Sequence, residues 1–131
     1  MEDSVFTRII RGEIPCHKIY EDDLTYAFLD IHPVQDGHVL VTTKNQVVTV
    51  WDLPAEDYLA LMNTGQKVAN RLREIFPEKM HIGMIVEGLD IPHAHLNIFP
   101  FDDDTEFRFH PDSDVLPDHD KLAELAKKIA F

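Results

Sequence analysis

The sequence predicts an α+β domain: a five-stranded antiparallel sheet served by one long helix, with a short helix at each end of the chain. Three observations predict it. Five short segments are rich in β-branched and aromatic residues, and the fifth alternates apolar and polar positions with a period of two. One long segment instead repeats its apolar residues every three to four positions. No internal repeat or linker divides the 131 residues, so they form one domain.

Ser4 to Arg11 opens the chain as a short helix with Val5, Phe6, Ile9 and Ile10 on its apolar face. Asp3 or Ser4 caps its start, and Gly12 stands where a helix stops. Lys18 to Glu21 reads as a strand, Glu21-Asp22-Asp23 as a turn, and Thr25 to Ile31 as a second strand in which Tyr26 and Phe28 face away from Ala27 and Leu29. Gln35-Asp36-Gly37 turns the chain into a third strand, His38 to Thr43. Val47 to Trp51 fits either a short strand or packed coil. Asp52-Leu53-Pro54 then starts the long helix, with Asp52 as cap, and Pro77 stops it. Its stripe is Tyr58, Leu61, Met62, Gly65, Ala69, Leu72 and Phe76.

Met80 to Val86 gives the fourth strand, and Glu87-Gly88 a turn into the fifth, which Pro92 and Pro100 bracket. A hairpin places these two strands side by side. An edge strand has to be covered or paired with a second copy, so a homodimer is expected. The core spans residues 3–101. The stretch 102–131 is a C-terminal extension: Phe101 to Pro117 has no period, and Asp118 caps a last helix with Leu122, Leu125, Ala126 and Ile129 on one face.

Composition bounds the function. Hydrophobic residues make up 44% of the chain, enough for a core, yet no apolar run is long enough to cross a membrane. A formal net charge of -12 argues against binding a nucleic-acid backbone, which needs clustered Lys and Arg. The acidic start Met1-Glu2-Asp3 is unlike a secretory leader, and the single cysteine, Cys16, suits a reducing compartment. The expectation is a cytoplasmic protein.

The chemistry concentrates in the fifth strand. Alternation puts His93, His95 and Asn97 on one face, opposite Ala94, Leu96 and Ile98. A neutral imidazole is a nucleophile and its conjugate acid a proton donor. Two imidazoles facing one point also suit a metal, and a pair of hydrogen-bonded core histidines is equally compatible.

In order along residues 3–101, four segments resemble the histidine-triad (HIT) superfamily of nucleotidyl hydrolases and transferases. They are Val5-Phe6-Thr7-Arg8-Ile9-Ile10-Arg11-Gly12-Glu13-Ile14-Pro15; Tyr20-Glu21-Asp22; Phe28 to Pro33 continuing through Gly37-His38-Val39-Leu40-Val41; and Pro92-His93-Ala94-His95-Leu96. The resemblance implies a nucleotidyl-histidine intermediate on His95, and a nucleoside monophosphate ester, anhydride or phosphoramidate of a purine as substrate. It assigns Asp30 to the ribose hydroxyls, a sound match because a carboxylate accepts from both members of a diol. It assigns Val5, Phe6, Ile9, Ile14, Phe28 and Ile31 to the base, although such residues also serve as plain core.

The sequence departs from the family pattern in three places. Asn97 stands where the third histidine belongs, and an amide donates hydrogen bonds without shuttling protons near neutral pH. Branches with Gln there pass the nucleotidyl group to phosphate compounds. The phosphate loop reads Gly88-Leu89-Asp90-Ile91, with Asp90 expected as a turn residue pointing away from phosphate. Ser4, Thr7 and Gln46 occupy three of the four positions that hold structural zinc in many bacterial members, so no metal or other cofactor is expected, and His93 is expected to orient the strand or line the phosphate site. The sequence thus predicts a hydrolase acting through His95, with Asn97 and His93 beside it. A nucleotidyl transferase or phosphorylase, a nucleotide-binding module without turnover, and a His-x-His metal enzyme are the alternatives.

Overall fold

The computed structural model describes residues 1–131 and shows the α+β architecture. The chain runs α1 (Val5–Ile10), β1 (Lys18–Glu21), β2 (Thr25–Leu29), β3 (Val39–Thr43), a 3-10 turn (Val50–Asp52), α2 (Ala55–Ile75), β4 (His81–Ile85), β5 (His95–Phe101), α3 (Asp104–Phe107) and α4 (His119–Ile129). All five strands are antiparallel, in the spatial order β1-β2-β3-β5-β4.

Period-two alternation divides the sheet into two faces. Ala27, Leu29, Val39, Val41, Leu96 and Ile98 meet Leu61, Val68 and Leu72 of α2, with Leu122 and Ile129 of α4 closing the side. Leu61, Val68 and Leu72 are fully buried, each contributing about 1.5–3 kcal/mol, so packing rather than helix propensity holds α2 in place. A Cβ on Gly65 would come within 2.9 Å of Leu96 Cδ1, so the absence of a side chain there sets how closely α2 approaches β5. On the opposite face Tyr26, Phe28 and Leu40 meet Phe6 and Ile9 of α1. This second face carries the histidines.

Three local details differ from the sequence expectation. Asp52 does not cap α2. It ends the 3-10 turn, where its Oδ2 accepts from Thr49 Oγ1 at 3.2 Å, and Pro54 takes the cap position without a side-chain hydrogen bond. Strand β5 begins at His95, because His93 lies in a bend whose amide donates to Ile91 O. It also runs through Pro100 to Phe101. Beyond Ile98, which pairs with Val39, β5 has only β4 as a neighbour, so a residue without an N–H is tolerated there. Within the aperiodic stretch after Phe101, Asp103 caps the short α3 by accepting from Glu106 N. Ser4 and Asp118 cap α1 and α4 as expected. No helix is long and apolar enough to cross a membrane.

Candidate active site

The register of the sheet assembles the site. Tyr26 pairs with Thr42 and Thr42 with His95, while Phe28 pairs with Leu40 and Leu40 with Asn97. Residues paired across an antiparallel sheet share a face. Two parallel rows therefore cross β2, β3 and β5, one ending at His95 and the other at Asn97. Helix α1 lies over them, with Phe6 packed edge-on against His95 at 5.0 Å between ring centroids and against Phe28 at 5.3 Å.

His95 Nδ1 lies 2.7 Å from the carbonyl oxygen of His93. A carbonyl only accepts, so Nδ1 carries the proton and Nε2 keeps its lone pair. Nε2 makes no hydrogen bond, and no side-chain nitrogen or oxygen in the protein is buried without a partner, so this atom meets solvent. The ring is thus oriented and open at its nucleophilic atom.

Asn97 is oriented just as firmly. Its Oδ1 lies 3.0 Å from His38 Nε2, and its Nδ2 donates to Ile85 O at 3.3 Å. His38 Nδ1 accepts from the Val34 amide at 3.0 Å, which places the ring proton on Nε2, where it is donated to Asn97. His38 is nearly inaccessible, and burial pushes its pKa below the ordinary histidine value despite the opposing pull of Asp30, 3.8 Å away, of the Asn97 contact and of Glu87. The candidate site read from the sequence did not include His38; the bond to Asn97 makes it part of the site. The signal was the period-two spacing of His38, Leu40 and Thr42, running from the residue before β3 into the strand.

His93 is fully buried, and both its nitrogens are engaged. Nε2 donates to Thr43 O at 2.6 Å, and Nδ1 accepts from Ser4 Oγ at 2.6 Å. Ser4 Oγ also accepts from Thr7 N, and Gln46 Oε1 accepts from both Ser4 N and Thr7 Oγ1. Burial lowers the His93 pKa, which keeps the ring neutral. The four positions aligned with a zinc site thus converge in space, but as two alcohols, a carboxamide and one imidazole. That donor set lacks the thiolates and second imidazole that zinc favours, so the residues do not fit the metal. Nor do three His, Cys, Asp or Glu side chains converge anywhere else in the chain.

Asp30 sits just beyond β2, its backbone paired with His38 O and its Oδ1 accepting from His32 N at 2.8 Å. Phe6, Ile9 and Phe28 are buried in one apolar cluster together with Tyr26 and Leu40, and Ile14, Cys16 and Ile91 pack against it. Val5 and Ile31, by contrast, are exposed at the surface. Tyr26 and Cys16, absent from the sequence-based site, supply the cluster's polar groups, with the hydroxyl 3.6 Å from the thiol. Burial raises the pKa of both. His32 Nε2 donates to Val115 O at 3.1 Å, so the C-terminal stretch folds back beside Asp30. Asp90 is an exposed loop residue, as expected of a turn. His17 and His119 lie on the surface and contact each other, 3.0 Å apart.

Comparison with known proteins shows which family the chain resembles. The HIT domain family matches residues 11–104. An uncharacterised HIT-like protein of Borreliella burgdorferi is 28% identical over 138 aligned positions, covering 100% of this chain and 99% of the relative. The adenosine 5′-monophosphoramidase HNT1 of Saccharomyces cerevisiae is 29% identical over 126, covering 95% and 79%. Among solved structures, a zinc-bound histidine triad family protein of Mycobacterium smegmatis superposes with a TM-score of 0.79 at 27% identity, covering 95% of this chain and 88% of that one. With the matched region spanning most of the chain and containing both His95 and Asn97, this protein belongs to the HIT domain family.

Proposed function

We propose that this protein is a nucleotidyl hydrolase that cleaves a purine nucleoside monophosphate from its leaving group through a nucleotidyl-histidine intermediate on His95. The observation that carries the reading is the Nδ1–H bond from His95 to the His93 carbonyl, at 2.7 Å, which leaves Nε2 as the open nitrogen available for attack. Asn97 is the hydrogen-bond donor to the phosphoryl oxygens, stabilising charge where it develops. His93 acts one step back, its ring tied to Ser4 and Thr43 and its carbonyl aligning His95. Asp30 takes the ribose hydroxyls, and the cluster around Phe6, Ile9, Ile14 and Phe28, with Val5 and Ile31 at its rim, takes the base. The phosphoramidase name of the yeast relative supports nucleotide chemistry in general.

The fold supports a homodimer as the working form. Strand β4 is an edge with β5 as its single neighbour, and a cleft of about 430 Å³ beside it is lined by Met62, Gly65, Ala69, Ile82 and Met84. Pairing with a second copy covers both the edge and this apolar surface. Asn97 favours one further reading, a transferase that passes the nucleotidyl group to a phosphate compound, since an amide activates no water.

Intact-mass spectrometry after mixing the protein with adenosine 5′-phosphosulfate and adenosine 5′-phosphoramidate, with an alkaline quench, tests the proposal. An adduct of one AMP that vanishes in His95→Ala is expected. An adduct that persists until phosphate is added points to the transferase. Nucleotide binding with neither adduct nor AMP release replaces the enzyme with a binding module.

A further inference from the structure

No transferable side-chain proton near His95 on this face of the sheet is left uncommitted. The His95 Nδ1 proton is held by the His93 carbonyl, and the His93 Nε2 proton by Thr43 O. His38 carries one ring proton, on Nε2, and gives it to Asn97 Oδ1, while its Nδ1 is occupied by the Val34 amide. Thr42 Oγ1 donates to Ala94 O. Asn97 spends one N–H on Ile85 O and has one left, and an amide N–H forms hydrogen bonds without giving up its proton. Asp30 accepts from the His32 amide, and Glu87, in the exposed loop beyond β4, is the other carboxylate close enough to influence His38. Tyr26 shares the face but lies two strands away, about 10 Å by strand spacing. Its hydroxyl is paired with Cys16.

We propose that the site is selective for acidic leaving groups, the sulfate, phosphate and phosphoanhydride class that departs as an anion, and releases amines poorly. This rests on the nucleotidyl-histidine reading above. In the first step the Nε2 lone pair forms the N–P bond. The P–O bond to the leaving group breaks, and both electrons leave with that oxygen as an anion, so no proton is needed. The ring, with its Nδ1–H retained, carries the positive charge against the His93 carbonyl. In the second step water oxygen attacks phosphorus, the P–N electron pair returns to Nε2, and the water proton passes to solvent. An amine leaving group, in contrast, has to collect a proton as the P–N bond breaks, and no side chain here is placed to supply it. The amine is therefore the leaving group this chain is least equipped to expel, which separates it from a relative specialised for phosphoramidates.

The test is single-turnover nucleotidylation of the full chain by a series of AMP derivatives. The series runs from adenosine 5′-phosphosulfate through the p-nitrophenyl ester to adenosine 5′-phosphoramidate. The adduct-forming rate is expected to fall steeply with leaving-group basicity, by on the order of 10²–10⁴-fold between sulfate and amine, the usual contribution of a general acid. Asn97→His, which restores an ionisable group, is expected to raise the amidate rate relative to the sulfate rate and so flatten the profile. Added imidazolium buffer gives the same readout with the unaltered protein. A flat profile, or an amidate faster than the sulfate, overturns the inference while the His95 adduct still forms. No adduct with any member of the series overturns the nucleotidyl-histidine reading itself.

Discussion

Ser4 Oγ lies 2.6 Å from His93 Nδ1, and this contact ties the first turn of α1 to the loop that aligns the nucleophile, across 89 residues of sequence. The same oxygen caps α1 by accepting from Thr7 N. Ser4→Ala therefore removes a helix cap, at about 1 kcal/mol, and leaves a buried ring nitrogen unpartnered, at about 1–3 kcal/mol. Urea denaturation should show a lower midpoint with an unchanged slope, for a total loss of about 2 kcal/mol or more. A loss below about 0.5 kcal/mol would mean that the bond does not anchor α1.

The same knot predicts a gain of function in metal binding. His93 already has the orientation of a zinc ligand, with Nε2 held by a carbonyl and Nδ1 facing Ser4 and, at 3.4 Å, Thr7 Oγ1. Ser4→Cys, Thr7→Cys and Gln46→His together supply the two thiolates and second imidazole that are missing. The triple variant should retain one zinc per chain through dialysis, measured by atomic absorption, and melt at a lower temperature after chelation. A folded triple variant that holds no zinc would show that the four positions do not converge as described.

How much of this was legible in the sequence follows from how local each signal is. The alternation of Ala27, Leu29 and Val41 against Tyr26 and Phe28 is a property of single strands, and the two sheet faces emerged as read. The caps at Ser4 and Asp118 are equally local. The tolerance of Pro100 depends instead on where β3 begins, at Val39, which no stretch around Pro100 records. The His38–Asn97 bond spans 59 residues and exists because β3 and β5, not consecutive in the chain, are neighbours in the sheet. Asn97 is visible as a departure from a pattern, but the partner that fixes its orientation becomes visible only once the strand order is known.

Burial also predicts the pH response of stability. His38 and His93 titrate below 6.5 in the fold, chiefly because burial disfavours the charged ring, while in the unfolded chain they titrate near 6.5. Below that pH the unfolded state takes up protons that the fold resists. Stability is thus fully present above 6.5 and declines as pH falls, by up to about 1.4 kcal/mol per pH unit for each group. Asp22 behaves separately. Despite burial, hydrogen bonds from Thr25, Leu24 and Tyr20 hold its pKa below 3.8, so its contribution is lost only at more acidic pH. Thermal melts should show a falling midpoint from about pH 7 to about pH 5, and a shallower fall in His38→Gln, which removes one titrating ring. A midpoint that is level over this range contradicts the assignment.

Met84 reports on the proposed dimer. It lies on the edge strand β4, is 47% exposed, and lines the cleft beside α2. Met84→Asp places a charge where a second copy would bury it, at a cost of several kcal/mol to association, yet exposes that charge to water in a free chain. Sedimentation should give twice the chain mass for the unaltered protein and the single chain mass for the variant, with its melting temperature changed by only the loss of the interface. A monomeric unaltered protein removes the dimer.

The last prediction separates the two nitrogens of His38. An Asn side chain places its amide nitrogen near the position of Nδ1, and a Gln side chain places it near Nε2. His38→Gln therefore keeps a donor for Asn97 Oδ1, and His38→Asn does not. Both variants lose the ring and its packing against Phe99 at 5.3 Å, while the Asn oxygen, near the Nδ1 position, can still accept from the Val34 amide, so a merely structural role predicts no greater damage from Asn than from Gln. If His38 fixes the amide so that its remaining N–H faces phosphorus, kcat for adenosine 5′-phosphosulfate should fall about 10²-fold in His38→Asn, the usual loss for one misplaced transition-state donor, and within about tenfold in His38→Gln. KM should move little in either, because the interaction is made in the transition state rather than with bound substrate. Asn97→Ala should be as slow as His38→Asn, and the double variant no slower than either, since each removes the same donor. Losses that multiply in the double variant, or equal losses in the Asn and Gln variants, would show that His38 supports the sheet and leaves the orientation of Asn97 to Ile85.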